Sequence, residues 1–215
     1  MQLANNLEVN MNLTEDQIDA IREIINIGVG KSAAILNKMI NKHIKLQVPY
    51  VEFTKVDKII SIINHSSEDE LSSVNLSFKG LLVGTAKLIF PTDSAAKLVA
   101  LFTDDNSGDD DMDEIKVATL SEIGNIVLNS LVGTISNTLN LPLNYSIPSY
   151  QEGILHNLLS HYATMAESAH LLAQTRFVIE ELEIVGDFIL LLEVESSYVF
   201  LELVEQFLKN QFQGN

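Results

Sequence analysis

The sequence predicts an α+β fold. It is an internally duplicated helix–strands–helix unit whose antiparallel β-sheet carries two long, pseudo-twofold-related helices packed side by side on one face. Two long stretches repeat apolar residues at helical spacing, and each is followed by strand-like segments grouped around a glycine. A single offset of 99 positions sets Glu23 on Glu122, Asn26 on Asn125, Asn41 on Asn140 and Pro49 on Pro148 without a gap. A period that occurs only twice is a duplication rather than a solenoid array.

The first helix opens at Thr14-Glu15-Asp16-Gln17, which reads as a capping box: the Thr14 hydroxyl accepts from the third backbone N–H and Gln17 reaches back to the cap. It runs to about Asn41, with Ile18, Ile21, Ile25, Val29, Ser32, Leu36 and Ile40 forming one buried stripe at spacings of three and four. Gly28 and Gly30 each cost of order 1 kcal/mol of helix propensity against alanine, which implies a close neighbour. An extended stretch from Leu46 to Phe53 comes next. VNLSFKG and VGTAKLIFP then form a strand pair around Gly84, and an amphipathic helix from Ser94 (DSAAKLVALF) closes the half.

The second half repeats the order. Its long helix runs from about Asp113 to Asn140, marked by Ile115, Leu120, Ile123, Val127, Leu131 and Ile135. An extended stretch from Tyr145 to Tyr150 follows, then the strand pair TRFVIEEL and VGDFILLLEV around Gly186. A short helix from about Ser197 (SYVFLELVEQFL) ends it. Residues 150–170 read as a helix and a polar loop that the first half reproduces less well. The expected organisation is one domain over 1–215, made of two pseudo-repeats (about 13–102 and 113–208) joined by the acidic linker TDDNSGDDDMDE, 103–114. The linker's carboxylates and glycine hint at a calcium loop, but the liganding spacing fails and no glutamate stands at the twelfth position after Asp104. A solvated, self-repelling segment accounts for it.

Composition bounds the function. The 215 residues are 47% hydrophobic and 20% charged, ordinary for a globular chain that buries its own core. Zero cysteines exclude disulfides, thiolate zinc sites and cysteine nucleophiles, and fit a reducing compartment. A net charge of −16 repels phosphate backbones and anionic lipid, which argues against nucleic-acid and membrane partners. No secretory signal is visible, and unbroken apolar runs such as Phe188 to Leu192 are far short of the roughly 18 residues a membrane helix needs. A cytoplasmic protein is expected. His43, His65, His156, His161 and His170 show no metal spacing, and no HExxH, glycine-rich phosphate loop or G-x-S-x-G elbow is present. Tyr145, Tyr150, Phe177 and Phe188 sit in strand-like segments and read as core.

On a helix of about 100° per residue, Glu23 and Asn26 lie roughly 60° apart, with Asp19 and Gly30 between and beside them. This stripe sits to one side of the isoleucine face, and the small Gly30 and Ala33 leave room for another protein's surface. Glu122 and Asn125 repeat the geometry, with Ala118 at the Asp19 position and Asn129 at the Gly30 position. By itself such a pair is the wet face of a helix, and a duplication copies a meaningless surface too.

These residues resemble the signature of the CheC/CheX/FliY phosphatases of bacterial chemotaxis: an acidic or serine residue, three spacers, Glu, two spacers and Asn on a long helix. The first copy is Asp19, Glu23 and Asn26 in DAIREIINIG; the second is Glu122 and Asn125 in LSEIGNIVLN. EIGNI and FPTDSAAKLVALF look like the family's own wording, and two motifs in one chain are CheC-like. The resemblance implies an enzyme that hydrolyses the aspartyl phosphate of a phosphorylated CheY-type response regulator. It needs no cofactor of its own, because the receiver domain supplies the Mg²⁺. Asn26 and Asn125 would orient the attacking water, as a carboxamide does in GTPases. Glu23 and Glu122 would pair with the receiver's lysine, and Asp19 would add a docking contact. Ala118 and Asn129 depart from the pattern, the first weakening docking at the second site and the second narrowing its approach. A CheD-type deamidase is a second candidate partner. In CheC proteins that bind it, the contacting segment resembles DMAGAIL; here SYQEGIL, Ser149 to Leu155, stands there, and the replaced aspartate counts against it. The alternative from a different class is a non-enzymatic docking module for a response regulator or a flagellar-switch component, since fold alone does not settle function.

Overall fold

The computed structural model describes residues 13–63, 69–102, 112–160 and 170–213. Its elements are, in order, α1 (Glu15–Ile40), β1 (Lys45–Leu46), β2 (Tyr50–Thr54), α2 (Val56–Ile62), β3 (Leu71–Gly80), β4 (Gly84–Pro91), α3 (Thr92–Ala100), α4 (Met112–Thr138), β5 (Leu143–Tyr145), β6 (Ser149–Gly153), α5 (Leu155–Leu158), β7 (His170–Ile179), β8 (Ile184–Leu192) and α6 (Val194–Gln213). The capping box is formed: Gln17 N–H donates to Thr14 Oγ1 at 3.2 Å and Thr14 N–H donates to Gln17 Oε1 at 3.0 Å. Both long helices are followed by an asparagine in the left-handed region, Asn41 at φ 52° and Asn140 at φ 53°, a conformation asparagine tolerates better than most side chains.

The strands make one antiparallel sheet in the order β1-β7-β8-β4-β3-β5, with β2 also on β7 and β6 also on β3. The registers repeat at the offset found in the helices. In β2–β7, Tyr50 pairs with Gln174; moving one partner 99 positions forward and the other 99 back gives Ser149 with Asn75, which is a pair of β6–β3. In the same way Lys45↔Val178 maps onto Asn144↔Lys79. Gly186 follows Gly84 by three positions more, and the 3-10 turn Glu180–Leu182 lies in that insertion. EEL therefore turns rather than extending the strand.

Helices α6, α1, α4 and α3 lie side by side on one face, and their apolar sides meet Val74, Leu76, Leu88, Phe90, Phe188 and Leu190 of the sheet. The opposite face is covered in part by α2 and α5, whose Ile59, Ile63, Leu155 and Leu158 pack on Leu71, Ile89, Leu172 and Leu191. Burial on both faces explains why β8 reads FILLL rather than alternating. The sequence reading missed α2, which is the counterpart of α5. It also made the closing helix of the second half too short: α6 spans 20 residues and reaches α1, where Gln17 Nε2 donates to Glu205 Oε1 at 2.9 Å.

Of the expected linker, residues 103–111 lie outside the described residues, including most of the calcium-like run, and residues 112–114 already belong to α4. Residues Glu114–Thr138 of α4 are long and apolar enough, by length and composition, to cross a membrane. A search for unbroken apolar runs does not register this stretch, because Glu122, Asn125 and Asn129 interrupt it. It packs on α1, α3 and the sheet as an inner helix does. Phe177 and Phe188 are core, whereas Tyr150 is half-buried and Tyr145 is 41% exposed on the edge strand β5.

Candidate active site

Helices α1 and α4 meet along a seam of small residues. A Cβ on Gly28 would stand 2.8 Å from Leu131 Cδ1 and 3.2 Å from the Leu131 carbonyl oxygen. One turn on, the fully buried Ser32 Oγ donates to the Val127 carbonyl at 2.9 Å and also lies 3.0 Å from the Gly28 carbonyl oxygen. Gly28 facing Leu131 and Ser32 facing Val127 are images of each other at the 99-residue offset. Gly30 differs, with no atom within 4 Å of an added Cβ, so the close neighbour expected at both glycines exists at Gly28 alone. Gly124, the residue before Asn125, lets α4 sit on β3: its Cβ would fall 2.4 Å from Val74 Cγ1.

This anchoring turns the polar stripes away from the core. Asp19, Glu23 and Asn26 on α1 and Glu122 on α4 are exposed, and Asn125 is half-buried. The structure thus carries each Glu-x-x-Asn pair on the solvent side of one of two adjacent helices. Ala33, expected to clear space beside the first pair, faces the core at 6% exposure, so Gly30 alone keeps that flank low. Asp19 Oδ1 lies 3.4 Å from Arg22 Nη1, an exposed pair one turn apart that holds the carboxylate loosely. Ala118 is exposed and offers no polar group.

Asn129 is placed differently from expectation. Instead of projecting into the approach, it is half-buried, and its Nδ2 donates to both Oδ1 and the backbone oxygen of Asn125, each at 2.7 Å. Helix geometry favours this contact, because each Cα–Cβ bond tilts toward the N-terminus and carries a side chain back over the preceding turn. The identity of residue 129 was legible in the sequence, but the direction of its amide was not.

The sheet's other face holds a polar cluster that sequence reasoning also missed. Lys87 is 4% exposed, and its Nζ donates to Asn75 Oδ1 at 2.6 Å and to the Leu158 carbonyl at 3.1 Å, tying β4 to β3 and α5. Burial pulls its pKa from the ordinary 10.5 down to about 8. Its one signal was a lysine inside the apolar strand GTAKLIF. A shallow cavity of about 350 Å³ lined by Tyr50, Gln174 and Arg176 opens on this same face, across the sheet from the Glu/Asn stripes. Among the described residues no three His, Cys, Asp or Glu side chains come together to hold a metal. His43 and His156 are exposed and His170 is buried, while His65 and His161 lie outside the described residues.

With fold and stripes in place, the chain is similar in sequence to CheC and carries the fold shared by CheC, CheX and FliY proteins. It is 27% identical over 142 residues to the CheY-P phosphatase CheC of Bacillus subtilis, a match covering 63% of this chain and 66% of that one. The chain thus spans just under two thirds of that relative's length. Among solved structures, it is similar to Thermotoga maritima FliY, with a TM-score of 0.72 at 21% identity, covering 92% of this chain and all of that one. The FliM middle domain from H. pylori gives a TM-score of 0.61 at 12% identity over 89% and 99% of the two chains. CheX of Desulfovibrio desulfuricans gives 0.56 at 15% over 80% and 99%. No protein-family model matches the chain.

Proposed function

We propose that this chain is a phosphatase for the aspartyl phosphate of a CheY-type receiver domain. The reading treats it as one domain of two pseudo-repeats acting in the cytoplasm. The observation that carries it is the pair of outward-facing Glu-x-x-Asn stripes on two adjacent helices that are otherwise anchored by their apolar sides. Among the described residues, Glu23 and Asn26 spend no side-chain group on an intramolecular hydrogen bond, so their donors and acceptors are available to a partner.

The acyl phosphate is already reactive and the receiver brings the Mg²⁺, so the remaining task is to place a water in line with phosphorus. Asn26 or Asn125 would do so, since a neutral carboxamide both accepts from and donates to water. Glu23 and Glu122 would hold the receiver's lysine and fix the register of docking, and Asp19 would add anionic character at the rim. The similarity to a CheY-P phosphatase supports this assignment. CheD-type binding is not part of it: Ser149 stands where the family's aspartate would be, and its carbonyl oxygen is engaged by Asn75 Nδ2 at 3.3 Å.

The test is phosphate release from receiver domains of the source organism, each phosphorylated with a small-molecule donor. Acceleration by this chain supports the reading. Binding without acceleration of any receiver would favour the second reading, a docking module, which has its own support in the fold similarity to the FliM middle domain.

A further inference from the structure

We infer that Asn129 is a positioning residue that pre-orients the Asn125 carboxamide, giving the two sites different division of labour. The inference rests on the phosphatase reading above and concerns how its second site is held. Asn129 Nδ2 lies 2.7 Å from both Oδ1 and the backbone oxygen of Asn125, which draws the side-chain oxygen toward the following turn. With Oδ1 held there, the Asn125 amino group is directed away from Asn129. Two N–H donors and the second lone pair of Oδ1 remain for a water. A free asparagine must give up its rotamer freedom when it orders that water, whereas Asn125 has already done so in the unbound chain.

The first site has no equivalent. The position one turn beyond Asn26 is Gly30, which has no side chain, and Asn26 itself is exposed where Asn125 is half-buried. The first site is therefore more open and more anionic, with Asp19 present, and the second is better ordered. Openness and charge act on docking, hence on KM. Order of the water-holding amide acts once the receiver is bound, hence on kcat. Gly30 also supplies a means of transfer: an added Cβ there meets nothing within 4 Å, so a side chain can start from this position without a clash at its first carbon.

The experiment isolates each site with the full chain and uses a CheY-type receiver domain phosphorylated with acetyl phosphate. In an Asn26→Ala background, Asn129→Ala should lower kcat roughly three- to tenfold, the value of one immobilised side chain, while KM moves less than twofold. Asn129→Asp keeps the size but cannot donate, and should lose as much. In an Asn125→Ala background, Gly30→Asn should raise kcat by a similar factor. An independent readout is the ¹⁵N–¹H spectrum of the Asn125 side-chain amide: Asn129→Ala should convert one fixed χ1 rotamer into an averaged set. Unchanged kcat in both Asn129 variants, a single Asn125 rotamer retained without Asn129, or an inactive second site in the Asn26→Ala parent would each overturn the inference. None of these touches the phosphatase reading, which fails instead if wild-type chain accelerates no receiver or if Asn26→Ala with Asn125→Ala leaves turnover intact.

Discussion

Replacing Gly28 with alanine asks how much the seam between α1 and α4 tolerates. The new methyl would stand 2.8 Å from Leu131 Cδ1, about 1 Å inside an ordinary carbon–carbon contact. Leu131 is 1% exposed, so its side chain has no solvent to move into, and its carbonyl oxygen at 3.2 Å limits backbone adjustment. Overpacking of this size costs about 1–3 kcal/mol, against which alanine recovers roughly 1 kcal/mol of helix propensity. The net expectation is a loss of about 1 kcal/mol. Gly30→Ala, two residues away in the same helix, recovers the propensity and meets no neighbour, so it should stabilise by about 0.5–1 kcal/mol. For a chain of this size the two variants should differ in Tm by roughly 4–8 °C, from about 2–4 °C per kcal/mol. Urea unfolding followed by circular dichroism, with the slope compared to confirm that both variants unfold as wild type does, measures the difference. If Gly28→Ala stabilises as much as Gly30→Ala, the two helices are not in the contact described here.

Three further outcomes are expected. Asn26→Ala combined with Asn125→Ala should abolish stimulated dephosphorylation yet leave receiver binding within about threefold, read by phosphate release and by titration calorimetry. With Asp19 present at the first site and no acid at position 118 of the second, a contact worth of order 1 kcal/mol, the site left in Asn125→Ala should have a KM roughly fivefold below that of the site left in Asn26→Ala. Equal KM values in the two variants, read from initial rates across receiver concentrations, would show that Asp19 is irrelevant to docking. Lys87 gives a pH dependence with a definite sign. Its folded pKa of about 8 lies below the ordinary 10.5, so between these values the unfolded chain binds more protons and stability rises with pH. Below pH 8 the burial cost is complete, at about 3 kcal/mol. Relative to Lys87→Met, wild-type protein should therefore gain about 2–3 kcal/mol between pH 7 and 10 in chemical denaturation, whereas a pH-independent difference would mean that Lys87 stays charged when folded.

The long helices were legible because their signals are local and redundant. A capping box, a stripe at three- and four-residue spacing and an asparagine stop all agree on α1. The 99-residue offset then carried the same reading to α4. The strand pairs are legible for a similar reason, although the 3-10 turn at Glu180–Leu182 lies where the apolar run of β7 gives way to two glutamates and no glycine or proline marks the turn. What escaped was set by tertiary contact. Helix α2 has only seven residues, too few for a period to establish itself, and it exists because Ile59 and Ile63 cover the second sheet face. The stripes of Glu23, Asn26, Glu122 and Asn125 could be placed from the helical wheel. The buried setting of Ala33 depends on how α1 and α4 cross, which no single helix encodes, and the backward turn of the Asn129 amide onto Asn125 is one of several rotamers that its identity allows.

That crossing also explains how one scaffold holds two unlike sites. The seam is constrained on both sides, since Gly28 answers Leu131 and Ser32 answers Val127, and a change to either pair would alter the spacing of the helices. The outward stripes carry no such constraint. Positions 19 and 118 are exposed and an added Cβ at Gly30 meets nothing within 4 Å, so these positions can differ at little cost to the seam, which runs through Gly28, Ser32, Val127 and Leu131. Divergence is therefore expected at those positions while the Glu and Asn that would meet the receiver stay paired. Asp19 beside an open Gly30 favours capture, and Ala118 beside an ordered Asn125–Asn129 pair favours turnover after capture. Exchanging both differences at once, as Asp19→Ala with Gly30→Asn in an Asn125→Ala background, should raise KM and kcat together. A rise in only one of them would show that docking and water orientation are not separable along this helix.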